Sequence, residues 1–264
     1  MSEFNFDLLA FGAHPDDVEL TCGGTIKKLA NLGHKIALVD LTQGELGSRG
    51  DVATRQAESK AAGAILGVAY RENLSLPDGA IDGDASGEPG NDNSQLSKIV
   101  SALRRLRPQI VFVNYGKCRH PDHEATSKLV TRALFFSGLP KYRVAGAAPE
   151  DDKPFAPRKL IYYSSRVEFK PSFIVDISEV VEEKEKARRA YASQLGLDSK
   201  EGHNTLLTSP LMLPSMDSRD RYYGSMIGVS HGEPFLIRST LSIDDPIDFF
   251  RKVKPDSAMV FPRE

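Results

Sequence analysis

Short apolar runs alternate with segments of helical period through the first half of the chain, and that alternation restricts the fold more than any other feature. Phe6 to Gly12, Lys35 to Leu41 and Gln109 to Asn114 read as buried strands, and Tyr70 to Leu76 as a further one. Thr25 to Leu32, Thr54 to Leu66 and Leu96 to Leu106 read as helices between them, with Gly33 and Gly67 at helix-stopping positions. Strands joined through helices imply right-handed βαβ units, a mostly parallel sheet and helices on both faces. The second half is less regular. Glu124 to Ser137 and Val180 to Gln194 read as helices, Lys159 to Ser164 and Phe173 to Asp176 as strands, and Gly196 to Asp217 as a long loop. A last helix over Ser218 to Gly228 and a strand around Phe235 to Arg238 complete the expectation. No repeat or Pro/Ser-rich linker divides the chain, so residues 1–264 are expected to form one α/β domain with smaller C-terminal additions.

Ligands in open α/β sheets bind outside the carboxyl ends of the strands. Three of the six histidines fall there. His14 lies in Ala13-His14-Pro15-Asp16-Asp17 directly after the first strand. His120 and His123 lie in Arg119-His120-Pro121-Asp122-His123-Glu124, shortly after the strand that ends at Asn114. In each cluster a proline holds the preceding histidine extended, and the next donor follows three residues from the first. Two such turns on neighbouring strands would gather two imidazoles and one or two carboxylates in one crevice. That donor set suits Zn²⁺ or Fe²⁺ rather than Mg²⁺ or Ca²⁺. Three protein ligands leave a position open, as in catalytic zinc sites. The plainer alternative makes Asp16 or Asp17 and Asp122 helix caps beside loop histidines; two clusters at two strand ends favour the metal.

Composition removes other classes. Lys and Arg number 34 against 36 Asp and Glu, so the basic excess of a nucleic-acid-binding module is missing. No run approaches the ~18 apolar residues of a membrane span, and the start lacks a basic leader region. With two cysteines, Cys22 and Cys118, no disulfide framework is expected and the cytoplasm is the expected compartment. A dinucleotide site would need a glycine-rich first turn, whereas Asp16 and Asp17 there would repel a pyrophosphate. A non-haem iron oxygenase shares the two-His, one-carboxylate set but normally on a β-sandwich, and a non-catalytic metal-binding protein leaves the remaining acid and base groups unexplained. The acidic stretch Gly79–Ser94 mimics only the first half of a calcium loop and reads as a solvated loop.

The two motifs, His14-Pro15-Asp16-Asp17 and His120-Pro121-Asp122-His123, resemble the signatures of the PIG-L/LmbE zinc-dependent N-acetylglucosaminyl (GlcNAc) deacetylases. The likeness extends through Gly23-Gly24-Thr25, Thr42 to Gly50, Arg55, Glu58, Asn73-Leu74, Pro77-Asp78-Gly79 and Gly232-Glu233-Pro234-Phe235. The nearest branch is that of the bacillithiol-biosynthesis deacetylases, which act on N-acetylglucosaminyl malate; other GlcNAc conjugates, such as chitooligosaccharides or thiol conjugates, are the alternatives. The resemblance implies a Rossmann-like fold without a dinucleotide, and zinc, or iron in its place, held by His14, Asp17 and His123. It further implies Asp16 as general base for a water. His120 would be the general acid and oxyanion stabiliser, with Asp122 bonded to its ring and favouring the charged form. Arg49, Arg119 and His231 are expected at the substrate, His231 standing where relatives carry Tyr or Phe. A trimer or hexamer of a small-molecule enzyme is expected, with no nucleic-acid or membrane partner.

Overall fold

The computed structural model describes residues 5–85, 94–144, 146–165, 167–198 and 202–251. Its centre is a seven-stranded sheet in the order β3-β2-β1-β4-β5-β7-β6. The strands are β1 (Phe6–Gly12), β2 (Ile36–Thr42), β3 (Tyr70–Leu76), β4 (Pro108–Asn114), β5 (Lys159–Tyr163), β6 (Phe173–Asp176) and β7 (Gly232–Leu236). β1 to β5 run parallel, and β7 pairs antiparallel with both β5 and β6. The helices are α1 (Asp17–Asn31), α2 (Val52–Leu66), α3 (Gln95–Leu106), α4 (Pro121–Ser137), α5 (Val181–Arg189), α6 (Ala192–Leu195), α7 (Met212–Ser225) and α8 (Pro246–Arg251). The expected α/β architecture is therefore the observed one.

Alternation along the central strands builds two cores, because successive side chains leave opposite faces. Leu9, Phe11, Val39, Val111 and Val113 pack with Ile99, Leu103, Leu129 and Val130 of α3 and α4. Leu8, Ala10, Leu38 and Phe112 pack on the other face with Ile26, Ala62, Leu66 and Ala187 of α1, α2 and α5. β1 and β4 are neighbours although α1, β2, α2, β3 and α3 intervene in sequence. The strand order therefore reverses between them, and the crevice opens at their carboxyl ends.

Several expectations shift. The first helix begins at Asp17 rather than Thr25 and kinks at Cys22. The Glu233 carboxylate accepts hydrogen bonds from the Gly24 and Thr25 N–H groups at 2.9 and 2.7 Å, capping the second segment. The helix expected over Val180 to Gln194 breaks into α5 and α6 at Tyr191, whose buried hydroxyl bonds Glu19 and Arg71. The loop expected over Gly196 to Asp217 ends early, since α7 starts at Met212 and holds Pro214 in its first turn, where proline is tolerated. α8 had no counterpart in the sequence reading, and β7 begins at Gly232 rather than near Phe235. Half of the acidic stretch (86–93) and residues 199–201 lie outside the described residues.

Candidate metal centre and active-site cavity

Both histidine clusters meet in the crevice. At Gly12 a side chain would lie 3.0 Å from the His14 carbonyl oxygen and 3.3 Å from the Asp17 Cβ, so glycine lets the chain fold back there. Asp16 then takes a positive φ of 123°, a strained conformation for a residue with a side chain. This turn points Asp17 inward: its Oδ2 accepts the His14 N–H at 3.0 Å, and Asp16 makes no side-chain cap of α1. Across the crevice, Asn114 at the end of β4 donates to the His123 carbonyl and fixes the start of α4, with Pro121 in its first turn.

The Asp17 carboxylate stands between the two clusters. Its Oδ1 is 3.0 Å from His123 Nε2 and its Oδ2 is 3.6 Å from His14 Nδ1. His14 Nε2 lies 3.0 Å from Asp78 Oδ1 and 3.3 Å from Asp122 Oδ2. The ligand atoms of His14, His120 and His123 lie within 4.8 Å of one another, as do those of His14, Asp78 and Asp122. Burial opposes charge on both histidines, yet the carboxylates prevail. His14 is held well above the ordinary imidazole range by Asp122, Asp17 and Asp78, and His123 is pushed up to about 10 by Asp17. An anionic cluster that draws protons onto two imidazoles is one a divalent cation would neutralise. These histidines and carboxylates are a donor set that fits a divalent metal ion.

Asp16 points away from that cluster toward α2. Its Oδ2 is 3.1 Å from Arg55 Nη2, which also donates to the Pro15 carbonyl at 2.6 Å, while Arg55 Nη1 reaches Gln194 Oε1 at 3.1 Å. Burial pushes the Asp16 carboxyl up to about 7; Arg55 opposes this and Asp17 adds to it.

His120 stacks on His123 with ring centroids 4.9 Å apart. Its Nδ1 accepts the Asp122 backbone N–H at 3.3 Å, which places the proton of the neutral ring on Nε2. The Asp122 carboxylate does not bond this ring. It accepts the Gly79 N–H at 2.7 Å and faces His14, so the expected Asp122–His120 side-chain pair is replaced by a backbone contact. Burial and the charges of His14 and His123 lower the His120 pKa, contrary to the expected charged form.

A cavity of about 780 Å³ opens over these groups. Arg119 lines it, exposed and with no ion pair among the described residues. Arg49 and His231 are outside its lining. Arg49 donates to the Ser193 carbonyl at 2.9 Å and to Asp198 at 3.1 Å, tying the loop after β2 to the α6 region. His231 is buried between Ser230 and Asp217, with Nε2 3.0 Å from the Asp217 carboxylate. Both thus lie apart from the cavity lining where substrate contacts were expected. The structure adds Asp78 and Arg55, which sequence reading had noted only as points of resemblance. No local pattern marks either; a buried arginine facing an aspartate across the crevice becomes visible once the fold is known.

A buried two-histidine, multi-carboxylate crevice at the switch point of a mostly parallel sheet makes this an α/β protein with a metal-competent site. The chain belongs to the PIG-L family, whose GlcNAc-PI de-N-acetylase model matches residues 9–134, and it is an enzyme of the deacetylase type. It is 31% identical over 242 residues to the diacetylchitobiose deacetylase of Thermococcus kodakarensis, covering 86% of this chain and 80% of that one. It is 29% identical over 266 residues to the 1D-myo-inositol 2-acetamido-2-deoxy-alpha-D-glucopyranoside deacetylase of Mycobacterium sp. (strain KMS), covering 81% and 82%. The crystal structure of a conserved protein from Thermus thermophilus superposes with a TM-score of 0.76 at 35% identity, covering 90% of this chain and 98% of that one. Among the described residues no helix is long and apolar enough to cross a membrane.

Proposed function

We propose that this chain, as a single domain over residues 1–264, is a cytoplasmic zinc-dependent deacetylase that hydrolyses the acetamide of a GlcNAc conjugate. N-acetylglucosaminyl malate of bacillithiol biosynthesis is the leading substrate. The observation that carries the reading is the Asp17 carboxylate set between His14 and His123, with a second, differently placed carboxylate, Asp16, beside it.

His14, Asp17 and His123 would hold Zn²⁺, which would supply a Lewis acid that lowers the pKa of a water toward neutrality; Fe²⁺ in the same site would serve the same hydrolysis. Asp16 takes up the proton of the attacking water, and Arg55 fixes the carboxylate for that task. His120 Nε2–H hydrogen-bonds the oxygen of the former carbonyl and passes its proton to the departing amine. The acyl carbon gains the water oxygen and the C–N bond breaks, giving acetate and a free glucosamine amine. Asp122 holds His14 rather than His120.

The two curated relatives act on GlcNAc joined to different partners, which supports the GlcNAc half of the substrate and leaves the partner to this cavity. Arg119, exposed on its wall beside His120, suits a carboxylate such as that of malate. A homo-oligomer, trimer or hexamer, belongs to the same reading and is read by sedimentation velocity. Acetate release from N-acetylglucosaminyl malate, diacetylchitobiose and free GlcNAc by the zinc-loaded protein tests the function. Fastest release from the malate conjugate supports it, fastest release from diacetylchitobiose moves the chain to the chitooligosaccharide alternative, and no release from any of the three contradicts it.

A further inference from the structure

The wall of the cavity built by α7 holds a cation that the mechanism does not use. Arg219 lines the cavity, and its Nη2 donates to the Ser164 carbonyl at 3.0 Å while Nη1 donates to the Ser165 carbonyl. A guanidinium carries five N–H donors, so two carbonyls leave three; its Nε is buried with no partner at all. No carboxylate forms an ion pair with it among the described residues. Its chain neighbour Asp220 is committed elsewhere, to Lys184 Nζ at 2.6 Å and Arg188 Nη2 at 2.8 Å. Glu168, the acid on the same cavity lining, is solvent-exposed and makes no ion pair with it.

A largely buried cation with spare donors and no counter-ion is costly. The cost is recovered where a ligand brings the missing anion. Leu206, Leu207, Met212 and Met216 line the same cavity and keep its dielectric low, which strengthens such an attraction. Apart from the exposed Glu168, the acid groups of the cavity gather on the strand-end side, at Asp16, Asp17 and Asp78. A substrate with a neutral acetamide and an anionic substituent matches this separation of charge.

We propose that Arg219 is a specificity-determining residue: together with Arg119 on the same cavity lining, it fixes a carboxylate on the substituent of the GlcNAc substrate. The inference rests on the deacetylase reading above and adds a residue to it. Arg219 reads the substituent and not the acetamide, so its removal changes selectivity rather than chemistry.

The test compares N-acetylglucosaminyl malate with the neutral methyl N-acetylglucosaminide in the zinc-loaded wild type, Arg219→Gln and Arg219→Lys. A charge-assisted contact of about 1.5–3 kcal/mol corresponds to roughly 10- to 100-fold. Arg219→Gln is therefore expected to lower the ratio of kcat/KM values, malate conjugate over methyl glycoside, by that factor, with Arg219→Lys recovering part of it. Using the ratio cancels any general loss of folded enzyme. An unchanged ratio, whether or not both rates fall, overturns the proposal and leaves Arg219 as a tie to the Ser164–Ser165 loop. Calorimetric binding of the malate conjugate to Asp16→Asn protein, with and without Arg219→Gln, reads the same contact without turnover. Equal affinities would again overturn it. If the wild type released acetate from neither compound, the deacetylase reading would fail, and the calorimetry would still decide the role of Arg219.

Discussion

Arg55 Nη2 lies 3.1 Å from Asp16 Oδ2 and bonds the carbonyl of Pro15 in the same turn. One buried guanidinium thus holds both the side chain and the backbone of the strained turn that separates Asp16 from Asp17. Arg55→Met is expected to lower kcat/KM by about 100-fold, the scale of a small misplacement of a reacting group. Bound metal, measured by atomic absorption, should be unchanged, because Arg55 touches none of His14, Asp17 or His123. Wild-type turnover in this variant would remove Arg55 from the account.

The concentration of carboxylates around His14 and His123 makes the site a cation sink. Metal-stripped protein should lose activity and unfold at a lower temperature than the loaded form, since a ligand of the native state stabilises it by mass action. Zn²⁺ or Fe²⁺ should restore both, and Mg²⁺ at equal concentration should not, because imidazole ligands select the former. Full recovery with Mg²⁺ in a thermal-shift and acetate-release titration would contradict the assignment of the ligands.

Much of this site was legible from strand ends alone. His14, Asp17, His120 and His123 follow β1 and β4, and the strand order makes those two strands neighbours. Arg55 and Asp78 reach the same crevice from α2 and from the loop after β3, where nothing in the local sequence distinguishes them from surface charges. Arg49 and His231 present the opposite case: resemblance suggested the substrate, and their tertiary partners, Asp198 and Asp217, hold them outside the cavity lining. The helix boundaries went astray for similar reasons. Thr25, expected as the start of the first helix, opens only the segment after the kink at Cys22, capped by the distant Glu233, and the break at Tyr191 depends on hydroxyl partners in α1 and β3.

Relocating His231 and Arg49 has a direct consequence. His231→Phe should cost about 0.5–1.5 kcal/mol of stability by removing the hydrogen bonds to Asp217 and Ser230, read by urea denaturation, while KM for the GlcNAc conjugate changes by less than roughly twofold. Arg49→Gln should behave likewise. A raised KM with unchanged stability in either variant would return that residue to the substrate.

Asp220 gives a pH dependence that is separate from the metal site. Burial pushes its carboxyl up, but Lys184 and Arg188 more than offset this and hold it below the ordinary range. A carboxyl lowered on folding contributes stability above its unfolded pKa of about 3.9, and that contribution is lost as pH falls through the folded value. The wild type should therefore hold this contribution constant at neutral pH and lose it below about pH 4. Asp220→Asn should be less stable by about 3 kcal/mol at pH 7, because buried Arg188 loses its close partner and Lys184 keeps only Glu233, with the difference narrowing in acid. A difference independent of pH in denaturation curves would rule out the charge as its source.

The central claim is that two adjacent aspartates divide the work, Asp17 for the metal and Asp16 for the proton. Asp16→Asn preserves shape while removing the base, so its metal content and its acetate release should be measured on one preparation. The account expects zinc bound at the wild-type stoichiometry and turnover of N-acetylglucosaminyl malate reduced by about 10²–10⁴-fold. Loss of the metal together with activity would make Asp16 a ligand, and retained activity with bound metal would leave the reaction without its base; either result contradicts the mechanism.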